Sequence, residues 1–328
     1  MLMSSELILV IILALILEFI NGGQSSGNIV ATMISSRAFP PRMALGMTAL
    51  AEFSAPFLFG TMVAKAIGGN IVFFHAITLK VLVACLISSI LWNGVNWLFG
   101  IPNSSTHSLI GSLLGSVLIA AGKDMIHFAG LYKILLALFL SPFISFMAGF
   151  LILRIIYFLA RNATPNINEF FRRSQAVTAL SLAFSYGAND AQKTIGIITL
   201  GLVVSGVIKD FTIPTWVILI SIGSTVLGTL FGGWKSIRTL GGKFYKIRPV
   251  HSFSTQLTSG LLVLTASLAG LPVSTSQVVS SAIIGVGASE RINKVRWSVA
   301  GNILTSWLIT IPISALLSAS IYYLFSIS

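Results

Sequence analysis

The sequence predicts an all-α polytopic membrane protein of two inverted-topology repeats, with about ten crossings and broken or half-helices at the midplane. Three observations predict it. The 328 residues are 55% hydrophobic and only 9% charged, with mean hydropathy +0.95, too few charges to cover a soluble protein of this size. Two polar, glycine-marked stretches each occur twice. Lys and Arg are distributed unequally between alternate loops.

Apolar runs and their polar breaks give the crossings in order. The first half reads as 6–36 (broken at 22–25), 43–66, 75–99, 103–121 and 132–160. The second half reads as 174–204 (broken at 187–190), 214–232, 250–270, 272–289 and 298–326. The opening run 6–19 leads into a polar motif with no small-residue cleavage site, so it reads as a first span and not a removable signal. Residues 161–173, rich in Asn, Pro, Glu and Arg, read as a cytoplasmic linker between a first repeat at 1–160 and a second at 174–328. Residues 235–248 read as a further cytoplasmic loop.

Orientation follows from the basic residues. With the amino terminus outside, the inner loops hold thirteen: Arg37, Arg42, Arg161, Arg172, Arg173, Lys235, Arg238, Lys243, Lys246, Arg248, Arg291, Lys294 and Arg296. The outer side keeps five: Lys65, Lys80, Lys123, Lys133 and Lys209. This bias places both termini outside and inverts the two halves relative to one another. Because the net charge of +12 is spread over loops, it argues against nucleic-acid binding. The single Cys85 excludes an intrachain disulfide or a cysteine-based metal site, and reads as a small core hydrophobe.

The repeated stretches carry the chemistry. Gly22-Gly23-Gln24-Ser25-Ser26-Gly27-Asn28 corresponds to Gly187-Ala188-Asn189-Asp190-Ala191-Gln192-Lys193. Gly100-Ile101-Pro102-Asn103-Ser104-Ser105-Thr106-His107 corresponds to Gly270-Leu271-Pro272-Val273-Ser274-Thr275-Ser276-Gln277. Paired Gly/Pro interruptions in two halves point to the midplane site of a secondary transporter. A half-helix restarting at such a break aims amide groups at it and suits an oxyanion, while carbonyls and a carboxylate suit a small cation. Asp190 and Lys193, three apart, share one helix face, and the plain alternative is a structural ion pair. In the second pair, proline at the opening position and hydroxyls at the cap satisfy orphan amides, so Ser104 and Ser274 also read as helix caps. Three consecutive hydroxyls exceed what capping needs.

Of the eight acids, only Glu18, Glu52 and Asp190 lie at membrane depth. Glu18 and Glu52 read equally as cation or proton sites and as hydrogen-bonded structural acids. His107 reads as a helix-start histidine satisfied by its neighbours, and Trp92 and Trp97 as packing or interface anchors. Gly23-Gln24-Ser25-Ser26-Gly27 matches the hydrolase pattern Gly-x-Ser-x-Gly, but it follows a long apolar helix where that motif needs a strand-to-helix turn. A two-aspartate intramembrane protease fails because Asp190 is the only aspartate at depth. The reading is not an enzyme.

These residues resemble the inorganic phosphate transporter (PiT) family. Gly187-Ala188-Asn189-Asp190-Ala191-Gln192-Lys193-Thr194 with apolar 195–200 is similar to its second signature. Phe19-Ile20-Asn21-Gly22 with Asn28, Ala31-Thr32 and Ser36-Arg37-Ala38 is similar to its first, and the two Ser/Thr segments to its repeated hydroxyl-rich segments. The resemblance implies a plasma-membrane symporter that imports phosphate with Na+ or H+ as a homodimer, with no cofactor beyond a bound Na+. It implies substrate contacts from Asn189, Asp190 and Gln192, with Ser104, Ser105 and Thr106 paired with Ser274, Thr275 and Ser276 around the phosphate; the reading of the two polar breaks adds Gln24, Ser25, Asn28 and Lys193. Cation coupling would fall to Asp190 (the expected Na+ ligand), Glu18 and Glu52. Ser25 stands where the family usually carries an aspartate. That leaves two alternatives to phosphate symport of the usual stoichiometry: lower or proton-based coupling with Glu18 partly substituting, or another oxyanion such as sulfate. An anion channel with the same lining is the reading from another class.

Overall fold

The computed structural model describes residues 4–327 apart from 70, 102, 165 and 243. Pro102, Pro165 and Lys243, which enter the motif, linker and charge readings, lie outside the described residues. Among these the chain is helical, with no named strand. The helices are α1 (Ser5–Ser35), α2 (Pro41–Phe59), α3 (Met62–Gly69), α4 (Leu79–Phe99), α5 (Ser105–Ala121), α6 (Phe128–Leu159), α7 (Ile167–Gly187), α8 (Ala191–Val204), α9 (Thr215–Phe231), α10 (Trp234–Gly242), α11 (Pro249–Leu268), α12 (Thr275–Glu290) and α13 (Trp297–Ile327).

By length and composition α1, α4, α6 and α13 can each cross a membrane unaided. The others are short, broken or polar, because their Ser, Thr and Gln side chains turn inward. On α7 and α11, for example, Gln175, Thr178, Ser185, Gln256 and Ser259 are buried. Large apolar side chains face outward instead, Leu50, Phe99 and Leu159 being 70, 74 and 75% exposed. That inversion of the soluble pattern fits a lipid surround.

Four expectations are corrected. The first span is not broken at 22–25: α1 runs unbroken through it. Ser25 and Ser26 donate back to the carbonyls of Gly22 (3.0 Å) and Gly23 (2.7 Å), so the polar run satisfies itself within the helix. Gly22 serves contact: a Cβ there would lie 2.1 Å from the Thr225 carbonyl oxygen, and one on Gly228 2.0 Å from that of Phe19. The two glycines let α1 and α9 touch backbone to backbone. Second, the span read as continuous over 43–66 is broken, with Gly60 at φ +74° between α2 and α3. Third, the loop at 235–248 contains α10, and the linker at 161–173 is helical from Ile167. Arg173 donates to Glu169 at 2.9 Å one turn on, and holds that carboxyl below the usual carboxylate range. Fourth, Pro272 precedes the cap residue Ser274 by two positions and does not open α12.

The break at 187–190 is present: α7 ends at Gly187 and α8 starts at Ala191. Around it α1 packs on α4 and α9, α7 on α11 and α2, α3 on α8, α5 on α13 and α6 on α12.

Candidate functional site

Four chain segments meet at the break between α7 and α8. Asp190 and Lys193 sit on its α8 side, 6% and 1% exposed, and form an ion pair through Oδ1 and Nζ. The other carboxylate oxygen accepts from Thr275 Oγ1 at 2.6 Å, from the first residue of α12. The next hydroxyl, Ser276, accepts from Asn28 Nδ2 of α1 at 2.9 Å. Thus Asn28, Asp190, Lys193, Thr275 and Ser276 are gathered from three distant stretches. Tyr186, 1% exposed, brings its hydroxyl close to Thr275 and Asn28 without a hydrogen bond of good geometry. Ser274 Oγ and Asn189 Oδ1 are also buried and unpartnered among the described residues. Uncharged hydroxyls and amides with spare capacity beside a lysine suit an oxyanion.

The hydroxyl-rich segments meet across the same region. Thr106 Oγ1 donates to the Val273 carbonyl at 3.2 Å, and Gln277 Nε2 lies 3.2 Å from His107 Nδ1. Equivalent positions do different work. Ser104 caps α5, accepting from His107 N at 3.1 Å, whereas Ser274 makes no cap bond on α12. Ser105 is half-buried.

The two glutamates occupy a second layer against α9. Glu18 accepts from Thr225 (2.7 Å), Thr194 (2.6 Å) and Asn21 (3.3 Å), which fills both oxygens. Glu52 accepts from Thr229 at 2.6 Å through Oε2, while Oε1 has only Ser25 Oγ at 3.4 Å. Thr229 and Ser25 also reach the Gly22 carbonyl, at 3.2 and 3.0 Å. Four oxygen-bearing groups therefore converge at Ser25: a carboxylate, two hydroxyls and a carbonyl, the donor types of a hard cation. Both Asp190 oxygens are held closely, by Lys193 and Thr275, whereas Glu52 Oε1 has only the 3.4 Å contact from Ser25. Among the described residues no three His, Cys, Asp or Glu come together as a metal cluster. Glu18, Glu52 and Asp190 are all buried against one buried lysine. Fully ionised, the group is two charges negative, which a low-dielectric interior tolerates only with added cations or protons.

Several expected residues point elsewhere. Gln24 donates to the Asn93 carbonyl at 2.9 Å. Gln192 clamps the α2–α3 break: Oε1 accepts from Val63 N (2.8 Å) and Ala64 N (3.2 Å), and Nε2 donates to the Gly60 (2.7 Å) and Ala188 (2.8 Å) carbonyls. Asn189 Nδ2 is held by Ser267 at 3.0 Å and the Leu271 carbonyl at 3.3 Å. The sequence reading missed Tyr186, Thr194, Thr225 and Thr229. The spacing of Thr225 and Thr229, one turn apart in an apolar helix, was the available signal.

Comparison with known proteins agrees with this chemistry. The profile of the phosphate transporter family matches residues 21–318. A probable low-affinity inorganic phosphate transporter of Bacillus subtilis (strain 168) is 42% identical over 323 residues, covering 97% of this chain and 96% of that protein. One from Rhizobium meliloti (strain 1021) is 39% identical over 315 residues, covering 95% and 94%. A solved structure described as the sodium-dependent phosphate transporter matches with a TM-score of 0.90 at 25% identity, over 99% of this chain and 100% of that one. A buried lysine–aspartate pair among spare hydroxyls, in a helical membrane chain matched over nearly its whole length, places this protein in the phosphate transporter family, whose members are permeases and not enzymes.

Proposed function

We propose that this chain imports inorganic phosphate in symport with Na+ or H+, by alternating access between two inverted repeats, as a plasma-membrane homodimer with both termini outside. The observation that carries the proposal is the buried cluster of Asn28, Asp190, Lys193, Thr275 and Ser276, with the unpartnered hydroxyls of Tyr186 and Ser274 on its adjoining residues. Phosphate would sit there, on Lys193, the hydroxyls and the amide-rich start of α12. The coupling cation would sit at Glu52 with Ser25, Thr229 and the Gly22 carbonyl, and Glu18 would exchange a proton or second cation. Supporting the repeats, the packing pairs recur when α1 is matched to α7–α8, α2–α3 to α9–α10, α4 to α11, α5 to α12 and α6 to α13: α5 on α13 corresponds to α12 on α6. The cation and phosphate layers are joined through α1, α8 and α9, so filling one changes the cost of filling the other.

The test is uptake of labelled phosphate into proteoliposomes under an imposed sodium or proton gradient, each alone. One gradient should drive accumulation, excess sulfate should compete poorly, and Asp190→Asn should abolish gradient-driven uptake. Full uptake by that variant, or flux without accumulation, sinks the proposal.

A further inference from the structure

A polar seam leaves the buried cluster along one face of α1. Asn28, Thr32 and Ser36 follow at one-turn intervals. Asn28 bonds Ser276; Thr32 Oγ1 accepts from Gln256 Nε2 at 3.1 Å, and Gln256 Oε1 accepts from Thr178 at 2.7 Å. Ser36 Oγ donates to Gln175 Oε1 at 2.8 Å, and Gln175 Nε2 reaches the Pro249 carbonyl at 3.4 Å. Thr32, Thr178, Gln175 and Gln256 are buried at 5% exposure or less. Helix packing in a bilayer needs no such succession of buried hydroxyl and amide pairs, because small residues suffice.

The seam opens into a cleft of about 650 Å³ lined by Ser35, Ser36, Arg37, Lys246, Arg248 and Arg296, and by no carboxylate. Only Arg248 has an acidic partner, Glu290, which also serves His251 at 3.2 Å and Lys294 at 3.0 Å. Arg37, Lys246 and Arg296 form no ion pair among the described residues. The amino-terminal ends of α11 (Pro249) and α13 (Trp297) border the same space and add their positive dipole ends. Loop charge alone sets topology and needs no concave grouping.

We infer that this cleft is a second, inner oxyanion site, where a phosphate-type group is held by Arg37, Lys246, Arg248 and Arg296 at the end of a hydroxyl and amide path from the buried cluster. The inference rests on the transport reading and on the inward placement of the basic loops. In use, the site would receive the ion as it leaves and raise its local concentration at the inner mouth. A free phosphate and the phosphate of an anionic lipid headgroup share this chemistry.

The experiment uses the full chain in right-side-out and inside-out membrane vesicles fused with either phosphatidylcholine or phosphatidylglycerol liposomes. The phosphate KM is measured at each face for the parent and for R37Q/K246Q/R296Q. All three positions are exposed, and an unchanged outer-face KM reports an intact fold. With free phosphate as occupant, the variant's inner-face KM rises about tenfold in both lipids. With a headgroup as occupant, phosphatidylglycerol raises the parent's inner-face KM and leaves the variant's unmoved. Equal inner-face KM for parent and variant in both lipids overturns the inner site while leaving transport standing. Parent vesicles that carry no phosphate in either orientation overturn both.

Discussion

Gln192 is the residue where a substrate contact and a structural clamp make opposite predictions. Its side chain makes four hydrogen bonds, two from the opening amides of α3 and two to the Gly60 and Ala188 carbonyls. Gln192→Ala removes all four and leaves backbone groups orphaned at a break 1% exposed at Gln192. At about 1 kcal/mol net per bond the loss is about 4 kcal/mol, and water entering the gap would reduce it to about 2–3 kcal/mol. For a chain of this size that corresponds to a fall in Tm of roughly 3–4 °C. Thermal unfolding in detergent and phosphate uptake in proteoliposomes should be followed together, with the exposed Ser181→Ala as control. The clamp predicts a lower Tm and lower kcat with KM within about twofold, since no freed atom of Gln192 faces the hydroxyl cluster. An unchanged Tm with a KM raised tenfold would refute the clamp and return Gln192 to the substrate.

Other outcomes follow from the same geometry. Thr229→Val removes the strongest donor to Glu52 and one oxygen of the cation set, so half-saturation for the coupling cation should rise about tenfold, roughly one charge-assisted hydrogen bond, with phosphate KM at saturating cation unchanged; a flux assay over cation concentration checks it. Ser104→Ala should lower stability by about 1 kcal/mol, as loss of a cap does, and leave phosphate KM alone. Ser274→Ala has no cap bond to lose and should instead raise phosphate KM severalfold with stability unchanged. Gly115→Ala places a Cβ 2.0 Å from the Ala315 carbonyl oxygen; forcing α5 from α13 should cost about 1–3 kcal/mol, read as a lower Tm.

Much of the site was legible before any coordinates because chemistry at membrane depth is sparse. Few polar residues interrupt the apolar runs, so Asp190, Lys193, Glu18, Glu52 and the two hydroxyl segments stand out by cost alone. What misled was symmetry. Gly22 and Gly187 occupy corresponding positions and both pack against a backbone, Gly22 on the Thr225 carbonyl and Gly187 with a Cβ position 2.5 Å from the Glu52 carbonyl oxygen, yet α1 runs on past the first and α7 ends at the second. A missing Cβ accounts for the close approach in both halves, and the glycine by itself does not say whether the helix continues past it. Ser104 and Ser274 diverge in the same way: which hydroxyl turns onto its own helix depends on what the opposing helix offers.

The sequence by itself determined the membrane class, the helical build, the buried acids and the family, since hydropathy, charge cost and motif order are properties of the chain. Tertiary structure alone decided the partners. It pairs Asn28 with Ser276 and Asp190 with Thr275, sets Glu52 at Ser25 where the family resemblance leads one to expect an aspartate, and assigns Gln192 to a break no motif announced. The physical reason is reach: a hydrogen bond is satisfied within about 3 Å, and which side chains come that close depends on helices meeting from 27 to 248 residues apart in the chain, at contacts that glycines permit but do not name.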